Sequence, residues 1–137
     1  MTEHHIRIIQ PRLRDGDIAG NLAMALKTIR ASAGQADLLV FPETCVSGFP
    51  RPDNVAQLAE PLDGPSATAL REAARQAGVA VAIGLAEADQ GRHFNAGLLI
   101  DGVPAEVAAA NASWMDADPE RVAEARAARA DAVPFKG

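Results

Sequence analysis

Residues 37–52, Asp-Leu-Leu-Val-Phe-Pro-Glu-Thr-Cys-Val-Ser-Gly-Phe-Pro-Arg-Pro, constrain the fold of this chain more than any other stretch. The short apolar run Leu38–Phe41 reads as a buried strand. It must stop at Pro42, which has no N–H to give to a sheet ladder. One residue later stands a carboxylate, Glu43, at the carboxyl end of the strand, where open α/β sheets place their ligand crevices. Gly48, Pro50 and Pro52 then force an irregular loop. A glutamate set by a proline turn in such a place is a candidate general base. The same residues also fit an exposed loop acid.

The flanking segments alternate strand and helix. Ile6–Gln10 predicts a first strand, closed by Pro11. Asp17 or a neighbour caps a helix over 18–33, whose apolar residues Ile18, Leu22, Leu26, Ile29 and Ala33 recur at helical spacing. Gly34 is a natural stop. With the strand at Leu38–Phe41 this makes a βαβ unit, and hence parallel strands. Pro65 suits the first turn of a second helix over 66–77, with Leu70, Ala74 and Ala77 along one face and Gly78 at its end. Val79–Leu85 reads as a strand buried on both faces. Gln90-Gly91 turns the chain into an antiparallel neighbour at Phe94–Ile100.

Leu-Val-Phe-Pro-Glu-Thr-Cys-Val-Ser-Gly-Phe-Pro resembles the first signature of the nitrilase, or carbon–nitrogen hydrolase, superfamily. Further motifs follow in the right order: Gly16-Asp17-Ile18 with Asn21-Leu22, then Leu62-Asp63-Gly64-Pro65. Gly84-Leu85-Ala86-Glu87 and Phe94-Asn95-Ala96-Gly97-Leu98-Leu99-Ile100-Asp101 complete the set. The resemblance covers residues 6 to 102. It implies an α/β fold, half of an α-β-β-α sandwich, with a mixed sheet and helices on one face. The other face belongs to a second half-fold in that family, so here the apolar sheet is expected to drive self-association into a homo-oligomer. The implied activity is hydrolysis of a small amide or nitrile through a cysteine thioester, without a cofactor. A glutamate, for which Glu43 fits, moves protons, and a lysine helps to stabilise the oxyanion.

The chain departs from that pattern after Leu98–Ile100. Where the family's lysine is expected it reads Asp101-Gly102-Val103-Pro104-Ala105-Glu106, and no second cysteine signature follows. The expectation is a truncated or internally deleted, inactive relative. A non-catalytic self-associating or small-molecule-binding α/β module is the alternative. The domain reading is 1–102 as the half-domain and 103–137 as an Ala/Arg-rich helical tail. Glu120–Asp131 has strong helix propensity, while Asn111-Ala112-Ser113-Trp114-Met115 resembles a segment of the second half. An unrelated tail fits 103–137 equally.

Other residues support narrower readings. Cys45, the single cysteine, would share a side with Glu43 in an extended segment and is a weak nucleophile candidate; an inert buried thiol is the other reading. Glu87, at the end of a buried strand, is a candidate partner of Glu43, or simply a strand's polar end. His4 and His5 sit at a frayed terminus, where an adjacent pair binds at most adventitious metal, and His93 lacks companions at ligand spacing, so no metal site is expected. A net charge of −5 and no basic patch interleaved with aromatics argue against nucleic acid. No apolar run approaches the ~20 residues of a membrane span, and Met-Thr-Glu-His-His lacks the basic and apolar regions expected of a signal peptide. One cysteine suits a reducing cytoplasm.

Overall fold

The computed structural model describes residues 3–102. Four strands form one sheet in the order β1-β2-β3-β4. They are β1 (Ile6–Ile8), β2 (Leu38–Val40), β3 (Ala80–Asp89) and β4 (Arg92–Ile100). The pairs β1–β2 and β2–β3 are parallel, with Ile8 opposite Val40 and Val40 opposite Ala82, whereas β3–β4 is antiparallel. Helix α1 (Ile18–Ala31) connects β1 to β2. A single turn, α2 (Val55–Leu58), and then α3 (Pro65–Ala77) lie between β2 and β3. Both crossovers step the same way across the sheet with the same hand, which brings α1 and α3 to one face. There they pack against each other.

That face holds the core. Ala25 and Ile29 of α1 and Leu70, Ala73 and Ala74 of α3 close over Leu39, Val81, Ile83, Leu85 and Ile100. The buried line of α1 runs through Asn21, Ala25 and Ile29, while Leu22 and Leu26 flank it half-buried. Helix starts follow local chemistry. Asp17 accepts a hydrogen bond from the Gly20 N–H at 2.9 Å, satisfying one unpaired donor of the first turn. Gly64 has no side chain with which to cap α3, so Glu60 reaches across and accepts from Ser66 N at 2.9 Å and Ser66 Oγ at 2.8 Å. Pro65 occupies the first turn, and Gly78 ends the helix in the left-handed conformation.

The sequence reading placed these elements correctly and differed in their extents. β1 and β2 each end sooner than expected, at Ile8 and Val40, although Ile9 N still donates to the Val40 carbonyl and Phe41 N to that of Ala82. β3 and β4 run further than expected, to Asp89 and from Arg92. Gln90 and Gly91, with φ of 48° and 75°, make a two-residue turn whose twist matches the strands, so pairing continues to its edge. Only the far half of β3 is buried on both faces: Ala80 and Ala82 are half-exposed. The short α2 had not been anticipated. The tail, with its expected helix over Glu120–Asp131 and the Trp114 segment, lies outside the described residues.

No described element covers the second face of the sheet, called the open face below. Side chains alternate across a strand, so Ile6, Ile8, Leu38, Val40, Ala82 and Leu99 share this side. Ile8 is 74% exposed and Leu99 76%.

Candidate active site

The site grows from the end of β2. Beyond Val40 the chain stays against β3: Gly84 N donates to the Pro42 carbonyl at 3.2 Å, and Val46 N to the Gly84 carbonyl at 3.4 Å. Between these anchors the backbone crosses directly over Gly84. A methyl group there would lie 2.5 Å from Thr44 N and 2.7 Å from Glu43 Cα, so this close approach requires glycine. Thr44 is in the left-handed region, with φ of 48°, which turns the chain between Glu43 and Cys45.

The remainder of the loop is tied to the start of α1. Asn21, buried in the first turns of that helix, donates to the carbonyls of Arg14 at 2.8 Å and Val46 at 3.2 Å. Its own amide oxygen accepts from Arg14 N. Asp15 accepts from Phe49 N at 2.9 Å, and Gly16 N donates to the Ser47 carbonyl. A buried amide that meets three backbone groups acts as a buckle between two loops. Sequence reasoning had quoted Asn21 only as part of a motif. Its polar side chain in line with the apolar Ala25 and Ile29 was the signal.

Glu43 emerges from this support exposed and on the open face of the sheet. Its carboxylate accepts a hydrogen bond from Asn95 Nδ2 on β4. The two side chains line a cavity of about 390 Å³ whose other walls are apolar or lack side chains, among them Phe41, Ala82, Gly84 and Gly97. Asn95 was not singled out from the sequence. Its position two residues before Gly97 and four before Leu99, all on one face, was the available clue.

The other residues read from the sequence lie elsewhere. Alternation along β3 puts Glu87 on the helix-covered side with Leu85 and Ile83, opposite the side on which Glu43 meets Asn95. Glu87 is buried and is itself the β3 residue opposite Glu60, whose N–H donates to the Ala86 carbonyl and whose carbonyl accepts from Ala88 N. Cys45 does not share a side with Glu43 either, because the turn at Thr44 sends it into the core. Burial pushes its thiol up to about 11, so it stays protonated at neutral pH. Lys27 is exposed on α1, across the sheet from Glu43. Among the described residues, no group of three or more His, Cys, Asp or Glu could hold a metal ion, and no helix is long and apolar enough to cross a membrane.

Known proteins share both sequence and fold with this region. The carbon–nitrogen hydrolase family pattern matches residues 5–107. An (R)-stereoselective amidase from Pseudomonas sp. is 48% identical over 95 residues, which are 69% of this chain and 35% of the amidase. A hydrolase from Pseudomonas protegens is 42% identical over 62% of this chain and 30% of its own length. The chain thus spans about a third of these relatives. A CN-hydrolase superfamily protein from Xanthomonas campestris, solved with an arsenic adduct in its active site, superposes with a TM-score of 0.68 at 30% identity. That match covers 74% of this chain and 38% of the other. An amidase from Nesterenkonia sp. shares the fold with a TM-score of 0.61 at 23% identity, over 74% of this chain and 40% of its own. With the motifs around Glu43 set on this sheet, the chain belongs to the carbon–nitrogen hydrolase family.

Proposed function

We propose that this chain supplies the proton-transfer half of an amide-hydrolysing site, with Glu43 as the general base and a small amide as substrate. One observation carries the reading: Glu43 stands at the carboxyl end of β2, over Gly84, with its carboxylate in a cavity to which the described residues bring no other charged group. The similarity to an (R)-stereoselective amidase supports an amide as the substrate in this reading, although nitriles share the electrophilic carbon bound to nitrogen. A variant of the Nesterenkonia amidase has been solved with acrylamide, a ligand of the size this cavity admits.

By itself the chain hydrolyses no amide or nitrile above background. A carboxylate contributes about 10² to 10⁴ as a general base, against the ~10⁶ or more of an enzyme. Cys45 is buried as a neutral thiol and Lys27 points away on α1, so neither completes the chemistry. Lys136 lies outside the described residues. The open face of the sheet then self-associates, burying Ile8 and Leu99, and the lone thiol suits a reducing cytoplasm. A second reading, ligand binding without turnover, is favoured by the same inert thiol.

Assays of the full chain with acetamide, acrylamide and acetonitrile, beside Glu43→Gln and Cys45→Ala, test this. Background rates throughout are expected, with saturable amide binding by calorimetry. Turnover lost in Cys45→Ala would make Cys45 a working nucleophile and overturn the inactive reading. Amide binding unchanged in Glu43→Gln, or turnover above background that Glu43→Gln leaves unchanged, would remove Glu43 from the site.

A further inference from the structure

Among the described residues, the cavity beside Glu43 is lined by one side chain able to donate a hydrogen bond, and that donor already touches the carboxylate. Asn95 Nδ2 binds Glu43 Oε1 across 52 residues of sequence. Oε2 takes no hydrogen bond from the described residues. The neighbouring positions on this face, Gly84 and Gly97, pair with each other and carry no side chain that could replace the amide.

On the reading of Glu43 as base, we propose that Asn95 is its positioning residue, holding Oε1 so that Oε2 is left toward the cavity as the proton acceptor. A glutamate on an exposed loop otherwise samples several rotamers, and ordering it beforehand removes that entropy from the reacting complex. The anchor is firm because Asn95 lies in a hairpin whose nine paired positions run from Val81–Ile100 to Asp89–Arg92. An amide is also suited to a base that gains and loses a proton. Its N–H₂ donates to the carboxylate; turned over, its carbonyl accepts from the protonated carboxyl O–H. A lysine or arginine could serve only the charged form, and an aspartate would repel it.

The test uses the full chain, labelled with ¹⁵N and ¹³C, and needs no turnover. In the wild type, the Asn95 side-chain amide resonances should move as a carboxyl group titrates, and this response should vanish in Glu43→Gln. Three-bond couplings should show a single χ1 rotamer for Glu43, lost to averaging in Asn95→Ala and Asn95→Asp. Asn95→Thr, with a β-favouring side chain, guards against disturbance of the strand, and unchanged β3–β4 amide shifts report the fold. An Asn95 amide insensitive to pH, or a Glu43 rotamer unchanged in both Asn95→Ala and Asn95→Thr, would overturn the proposal. Either result would leave the catalytic reading of Glu43 untouched, because that reading is judged by substrate binding and hydrolysis.

Discussion

The two faces of this one sheet are made from similar residues and carry different duties. On the covered face, Leu39, Val81, Ile83 and Leu85 are buried beneath α1 and α3, and each contributes through volume. On the open face, Ile6, Ile8 and Leu99 remain 60%, 74% and 76% exposed. Around Glu43 that face works by lacking volume: Gly84 admits the loop backbone and Gly97 leaves space above the strand. The site therefore occupies the side that packing has not claimed, where a polar group can change without disturbing the core.

The sharpest way to break this contrast is a matched pair of truncations. Leu39→Ala should lose about 2 to 5 kcal/mol, the usual cost of removing a buried aliphatic side chain and leaving a cavity. Leu99→Ala should stay within about 0.5 kcal/mol in the same urea titration. Both are read at a dilution where sedimentation shows a monomer, and equal losses there would mean that the open face is packed within a single chain.

Cys45 marks the boundary between loop and core, and pH exposes its position. Its thiol ionises near 9.0 when unfolded and near 11 when folded. The folded state therefore binds the proton more tightly, a contribution that is whole below pH 9.0 and lost as pH rises toward 11. About 2 to 3 kcal/mol should disappear over that window. Cys45→Ala should flatten this dependence relative to wild type. A thiol that reacts readily with an alkylating reagent at pH 8 in the native protein would contradict its burial.

The glycines give a finer comparison within the open face. Gly84→Ala places a methyl 2.5 Å from Thr44 N, so the loop must lift, at a cost of about 1 to 3 kcal/mol. Nothing lies within 4 Å of a methyl at Gly97, and Gly97→Ala should be neutral or stabilise by about 0.5 kcal/mol through strand entropy. Thermal melts of the two variants decide whether the loop really rests on β3. The smallest effect on the fold is expected from Ile8→Lys with Leu99→Lys. Stability measured on the monomer at high dilution should change by about 0.5 kcal/mol or less, while self-association in sedimentation is abolished. A wild type that stays monomeric at high concentration removes the open face as an interface between copies.

Much of this was legible in the sequence, and the failures have local causes. Strand and helix order followed from periodicity, and Glu43 from the proline that ends β2. Glu87 was misplaced because β3 was taken to end at Leu85; once it runs to Asp89, residue 87 is an interior position with a defined side. Cys45 was paired with Glu43 on the assumption of extended backbone, which the left-handed Thr44 breaks. α2 has a single turn, too short for any periodic pattern. Asn95 and Asn21 escaped notice because an asparagine's role depends on which groups the fold brings to its amide, and those groups lie far away in sequence.

The turn at Gln90-Gly91 has a consequence beyond its own geometry. Side chains on a strand are a binary sequence, up or down, and this turn sets the phase for β4. One residue inserted there would invert that phase, sending Asn95 toward the helices and Phe94 toward Glu43. Two inserted residues would restore the phase yet shift Asn95 along the strand, away from the carboxylate. The length of a surface turn, a feature most proteins vary freely, is in this chain part of what brings Asn95 to the Glu43 carboxylate.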